Sequence, residues 1–178
     1  MNLEPVYESV LQKISPSEED KIKVQNICRD LIRRIKEEAV SLKIDVNPTL
    51  VGSIAKDTWI KTKPDIDIFI VFPRTYTSEE IGQLGLKIAR KVTGGKGKEL
   101  YAEHPYLRAE VENFEVDFVP CFEISDAKER ISSVDRTPLH TLYIKKNLDE
   151  ALKKEVRLLK QFLIGINAYG AEIKVGGF

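Results

Sequence analysis

The sequence predicts an α/β domain in which a mixed β-sheet is packed by helices. Three observations predict it. Helical and strand-like periodicities alternate along the chain, as expected of helices laid against a sheet. Two neighbouring strand patterns are joined by only Glu112-Asn113, so at least one pairing is antiparallel. The length, 178 residues with 42% apolar content, suits one compact domain or one domain and part of another.

The elements follow in chain order. Leu3 to Ile14 reads as a short helix. Ser15-Pro16-Ser17-Glu18 reads as the start of the next, with Ser15 as cap, Pro16 in the first turn and Glu18 completing a capping box. Ile22, Ile27, Leu31, Ile35, Ala39 and Leu42 then recur at helical spacing, and the opposite face is charged and solvated. Ile44 to Val51 reads as extended despite Pro48 and ends at Gly52-Ser53, from which a short helix is expected through Trp59. Asp65 to Phe72 alternates as a strand. Ser78 to Val92 is helical, capped by Ser78 and with Glu79-Glu80 at its positive end. Residues 93–98 form a loop. Tyr106 to Val111 and Phe114 to Pro120 make the hairpin. Helices are expected again near Ala127 and over Asp149 to Ile166.

Bulk properties exclude several roles. Charged residues make up 31% of the chain, but formal net charge is zero, so any nucleic-acid contact must rest on local patches. Cys28 and Cys121 are far apart and lack a metal-site spacing, and they read as buried free thiols of a cytoplasmic protein. No apolar run approaches the roughly 20 residues needed to span a bilayer, and MNLEPVYESV has neither region of a signal peptide, so no membrane partner is expected.

The chemistry concentrates in two segments. In Asp65-Ile66-Asp67-Ile68, side chains alternate, so Asp65 and Asp67 share a face while Ile66, Ile68 and Ile70 enter the core. Adjacent carboxylates repel; a solvated strand end tolerates them, and a shared hard cation such as magnesium explains them. About a dozen residues earlier, Gly52-Ser53 ends one strand and opens a helix. That is either a plain turn or a phosphate site made of free amides and a hydroxyl. Asp117, between Val116 and Phe118, is costly in an apolar strand unless paired or ligating. Glu115 shares its face. Three carboxylates can hold two metal ions for in-line displacement at phosphorus.

Gly52-Ser53, Asp65-x-Asp67 and Asp117 together resemble the signature of polymerase β-type nucleotidyltransferases. The resemblance is closer to the archaeal (class I) CCA-adding enzymes. VGSIAKDTWIK, DIDIFIVFP, YAEHPY, EVDFVPCF, SSVDRTPLH, EVRLLKQFL and YGAEIKVGGF carry it in order, from residue 50 onward. It implies a polymerase β-type head that adds CMP and AMP to the tRNA 3′ end from CTP and ATP, with Mg2+ as cofactor. It implies that Asp65, Asp67 and Asp117 are the catalytic metal ligands. Gly52, Ser53, Lys56, His140, Lys160 and Tyr169 would hold the triphosphate, and His104 would lie near the RNA primer end. Without the resemblance, Lys160 reads as an exposed helix charge, Tyr169 as packing and His104 as a structural residue beside a proline.

Two substitutions depart from the family pattern. Lys56 stands where many members carry Arg, which loses a bidentate fork. Asp65 stands where Glu is common. The family enzymes also continue well past Phe178. The expected division is a catalytic domain over residues 1-145 and the start of a central nucleotide-binding domain over 146-178, with C-terminal domains missing. Of two basic runs, Lys87 to Lys98 reads as a solvated helix end and loop, and Lys153 to Lys160 lies on the helix expected to continue into the missing domain; both are too small to place a tRNA alone.

Overall fold

The computed structural model describes residues 3–62 and 64–169. Helix α1 (Glu4–Ile14) leads to α2 (Glu18–Ser41), then strand β1 (Asn47–Val51) and one helical turn, α3 (Gly52–Ala55). Strand β2 (Asp65–Phe72) is followed by α4 (Ser78–Val92), β3 (Lys98–Tyr101), β4 (Pro105–Val111) and β5 (Phe114–Phe122). Two 3-10 turns, Ala127–Glu129 and Val134–Arg136, precede α5 (Thr137–Asn147) and α6 (Glu150–Gly165).

The five strands form one sheet in the order β1-β2-β5-β4-β3. Only β2 and β5 run parallel; the other neighbours are antiparallel, so the sheet is mixed as expected. Alternation decides what each face carries. Ile66, Ile68, Ile70 and Phe72 of β2 and Val116 and Phe118 of β5 are fully buried against α2 and α4. The other face is apolar mainly at one end, where Phe69, Val71 and Cys121 cluster, with Val51 reaching from them to the carboxylates. At its other end this second face carries the carboxylates.

Several local expectations need correction. The start of α2 is capped by Ser17, whose hydroxyl accepts from the Asp20 amide at 3.1 Å while the Asp20 carboxylate accepts from the Ser17 amide at 2.9 Å. The capping box is therefore Ser17/Asp20, not Ser15/Glu18, because α2 starts at Glu18, directly after Ser17, while Ser15 closes α1 with its amide bonded to the Leu11 carbonyl. Ile22 is 57% exposed, and Val24 takes its place in the buried stripe. Thr77, not Ser78, caps α4, in a box with Glu80. β1 begins at Asn47, after Ile44 to Val46 have packed on the core as coil. β3 starts at Lys98, where the expected loop ends, and runs through residues for which no element was expected; the helix expected near Ala127 is one 3-10 turn, and the true helix, α5, begins at Thr137 with Pro138 in its first turn.

The Glu112-Asn113 turn holds. Both residues have positive φ, 51° and 69°, matching the twist of a two-residue hairpin. Both cysteines are buried and free, and burial raises the Cys28 thiol to about 11 and Cys121 higher still. Among the described residues no helix is long and apolar enough to cross a membrane.

Candidate active site

The carboxylates come together through strand register. Asp67 and Asp117 are direct partners across the parallel β2–β5 pair, and Asp65 faces Glu115 two residues away. All four side chains lie on the sheet face opposite α2 and α4. Val51, the last residue of β1, pairs with Asp67, so the chain turns into Gly52 directly over that carboxylate. Gly52 has φ +70°, and a Cβ there would lie 1.8 Å from Asp67 Oδ2. Glycine is required here because the Asp67 side chain fills the space.

Asp67 is the electrostatic centre of the face. Burial first, then the charges of Asp117 and Asp65, push its carboxyl up to about 6; Lys56 and Arg108 oppose the shift. Such crowding marks functional sites more often than structural ones. Lys160 of α6 feels the same group of charges. Burial, Lys56 and Arg157 lower its ammonium to about 8, against the pull of Asp65 and Asp67. Tyr169 is raised by burial and by Asp65 and Asp67. The structure thus gathers Asp65, Asp67, Asp117, Gly52, Lys56, Lys160 and Tyr169 into one electrostatic neighbourhood.

A family model for the nucleotidyltransferase domain matches residues 29–140, well over half of the chain. The chain belongs to that family. It is 41% identical to a CCA-adding enzyme of Methanothermobacter thermautotrophicus over 97% of its own length, and 42% identical to one of Pyrococcus horikoshii over 98%. A CCA-adding enzyme of Thermococcus kodakarensis is 43% identical over the full chain. The chain spans only 38–39% of the length of these relatives. Among solved structures, the Cid1 poly(U) polymerase bound to MgATP superposes with TM-score 0.69 at 17% identity, covering 94% of this chain and 49% of that one. A cytoplasmic RNA terminal U-transferase gives 0.65 at 17%, covering 90% and 44%. These two support the nucleotidyltransferase fold.

Within this nucleotidyltransferase domain, Ser53 sits in a helix of four residues rather than one reaching Trp59. The turn closes when Asp57 adopts φ +51° and the Thr58 amide donates to the Ser53 carbonyl at 2.9 Å. One turn carries little macrodipole, so charge attraction at this loop falls mainly to Lys56 and Lys160. α6 clamps the loop. Arg157, 6% exposed, donates to the Trp59 carbonyl (3.1 Å), the Asp57 carbonyl (2.7 Å) and the Asp57 carboxylate (2.7 Å). Lys160 donates to the Thr58 carbonyl at 3.0 Å. Two cations of the second basic run thus hold the loop that follows Ser53 and Lys56.

Neither histidine joins the cluster through a described contact. His140 is exposed on α5, which packs on α3 and β1, and it lines a surface recess with Arg136, Leu139 and Tyr143. His104 is 7% exposed and meets Phe122 edge-on at 6.1 Å. Phe122 lies five residues beyond Asp117, roughly 17 Å along the strand at about 3.3 Å per residue. The His104 Nε2 and the Ser132 hydroxyl are buried without a hydrogen-bond partner, and both residues line one recess.

Arg108 is the site residue that motif reasoning missed. It donates to both oxygens of Asp117, each at 2.7 Å, and its third nitrogen lies 3.0 Å from Glu115. The signal was present: a two-residue turn at 112–113 pairs Val111 with Phe114 and so Arg108 with Asp117. Asp135 was missed as well. Fully buried, it accepts from the amides of Phe122, Ile131 and Ser132 and ties the following loop to the end of β5.

Among the described residues, no three carboxylates are drawn close enough to ligate one ion as they stand. The donor set nonetheless fits a divalent cation in kind: three hard carboxylates on adjacent strands of one face, one of them, Asp67, made protonation-prone by burial and then by the other two.

Proposed function

We propose that this chain is the catalytic head of an enzyme that adds CMP and AMP to the 3′ end of tRNA, using CTP and ATP and working in the cytoplasm. The observation that carries the reading is the direct pairing of Asp67 with Asp117 beneath Gly52, facing Lys56 and Lys160, in a chain about 40% identical throughout to CCA-adding enzymes.

Asp65, Asp67 and Asp117 would hold magnesium. When bound, the cation supplies charge neutralisation for the triphosphate and the leaving pyrophosphate. Ser53 and Lys56 position the phosphates from the loop over β2, and Lys160 and Tyr169 join them from α6 and the residues after it. His140 contributes from α5. Catalysis then comes from holding the nucleotide in line and from opposing its charge, so no side-chain nucleophile is needed. His104, at the other end of the sheet, meets RNA upstream of the reacting 3′ hydroxyl. Residues 1-145 form the head, and 146-178 begin a central nucleotide-binding domain.

Zero net charge favours a second statement within this reading: alone, the chain binds nucleotide but tails tRNA poorly. Labelled CTP and ATP supplied with tRNA lacking its CCA end test both. Chains joined to the downstream domains of a relative are expected to add C, C and A in order, and Asp117→Asn to add none. Transfer to a protein or small molecule instead of tRNA would refute the substrate assignment.

A further inference from the structure

Arg108 has no part in the roles assigned above, yet it makes the closest contacts to Asp117. Its Nε and Nη2 each reach a different carboxylate oxygen at 2.7 Å. This is the planar fork that lysine cannot reproduce, and it engages both oxygens of the carboxylate at once. The Asp117 side chain is 16% exposed and that of Arg108 39%. The carboxylate is therefore sheltered, while the guanidinium borders solvent. Glu115, 3.0 Å from Arg108 Nη1 and 50% exposed, offers the guanidinium a second anion farther out on the same strand.

We infer that Arg108 is a positioning residue that competes with the divalent cation for Asp117. It aims the carboxylate and neutralises it, and it must release at least one oxygen, shifting toward Glu115, before Asp117 can ligate. Metal affinity is then set partly by the strength of the fork. The inference rests on the reading of Asp117 as a metal ligand. The backbone fixes the arrangement, since Arg108 and Asp117 are register partners on β4 and β5.

Manganese is a suitable probe, because the free aqueous ion is counted directly by electron paramagnetic resonance without any turnover. It is titrated into the 178-residue chain and into Arg108→Gln, Arg108→Lys and Asp117→Asn. Arg108→Gln is expected to bind roughly tenfold tighter, the equivalent of about 1.4 kcal/mol. Arg108→Lys is expected to fall between it and the wild type, because an ammonium keeps the charge but cannot cover both oxygens. Asp117→Asn is expected to bind more weakly. If Arg108→Gln is no tighter, the inference is wrong. If Arg108→Lys matches the wild type, only the general field of a nearby cation matters, and the inference fails again. If Asp117→Asn binds as the wild type does, Asp117 is no ligand and the underlying reading falls too. Circular dichroism checks folding; should Arg108→Gln not fold, Arg108→Lys carries the same decision alone.

Discussion

At the scale of single residues, Asp67 carries the most testable property. Its carboxyl titrates near 6 in the folded protein against an ordinary value of 3.8, so the folded state holds this proton more tightly than the unfolded chain. Its protonation stabilises the fold fully below about pH 4, and that stabilisation is lost as pH rises through about 6. A shift of about two units corresponds to roughly 2–3 kcal/mol. In metal-free buffer, Asp67→Asn is therefore expected to be more stable than the wild type at pH 7, with a flatter profile between pH 4 and 7. Urea melts at several pH values measure this, and parallel profiles for the two proteins would rule out the crowded carboxylate. Gly52 gives a second case. Gly52→Ala places a methyl group 1.8 Å from Asp67 Oδ2 at φ +70°, and positive φ alone costs a non-glycine residue about 1–3 kcal/mol. A loss of at least 2 kcal/mol is expected by the same melts, together with loss of any magnesium-dependent gain; an unchanged midpoint would contradict the packing. The shared face of Asp65 and Asp67 was legible in the sequence because strand alternation fixes it, and Asp117 stood out as a costly carboxylate in an apolar strand; that it meets the other two rests on the β2–β5 pairing. Arg108 was not legible, because a cation in a strand carries no motif, and only the register through Glu112-Asn113 shows its partner. The choice between Ser15 and Ser17 was not legible, because both are extended serines before a helix and only the point where α1 ends and α2 begins separates them.

At the scale of elements, the contact between α6 and the loop after α3 decides whether the site is rigid. Arg157 and Lys160 satisfy the carbonyls of Asp57, Thr58 and Trp59, which α3 is too short to use itself. Removing Arg157 leaves two carbonyls without their donor, at about 1–3 kcal/mol for each that stays buried and unpaired. Arg157→Met is expected to lose an amount of that order, and Asp57→Ala less, since Asp57 is about one-third exposed (35%) and still leaves Arg157 its two carbonyl acceptors. The double variant should cost clearly less than the sum, as a double-mutant cycle by urea denaturation would show. Full additivity would mean that the two do not act together. The strong elements, β2, α4 and the β4–β5 hairpin, were legible because their periodicity is uninterrupted. β3 was not: Lys98–Tyr101 is a short edge strand after glycines, and its pairing with β4 is tertiary. The mixed sheet itself was legible, but its parallel β2–β5 pair, on which the site depends, joins residues some fifty positions apart that no local pattern links.

At the scale of the whole molecule, charge and extent set what the chain can do alone. Net charge is zero, and the cations of α6 are largely engaged within the fold, so little attraction remains for a phosphate-rich RNA. Placing an RNA end to within about an ångström is worth orders of magnitude in rate. Tailing by this chain is thus expected to be at least 100-fold slower than by the same chain joined to a relative's downstream domains. Equal rates, with equal C-then-A order, would show that residues 1–178 suffice. Nucleotide binding is a different matter, because the carboxylates, Lys56 and Lys160 are all present. The most direct measurement is the shift in melting temperature of this chain on adding magnesium and CTP together, compared with Asp67→Asn and Asp117→Asn. The wild type is expected to gain several degrees with both ligands and less with either alone, and both variants to lose that gain while remaining folded. A wild type that gains nothing, or variants that gain as much as the wild type, would contradict a metal-and-nucleotide site on this face of the sheet.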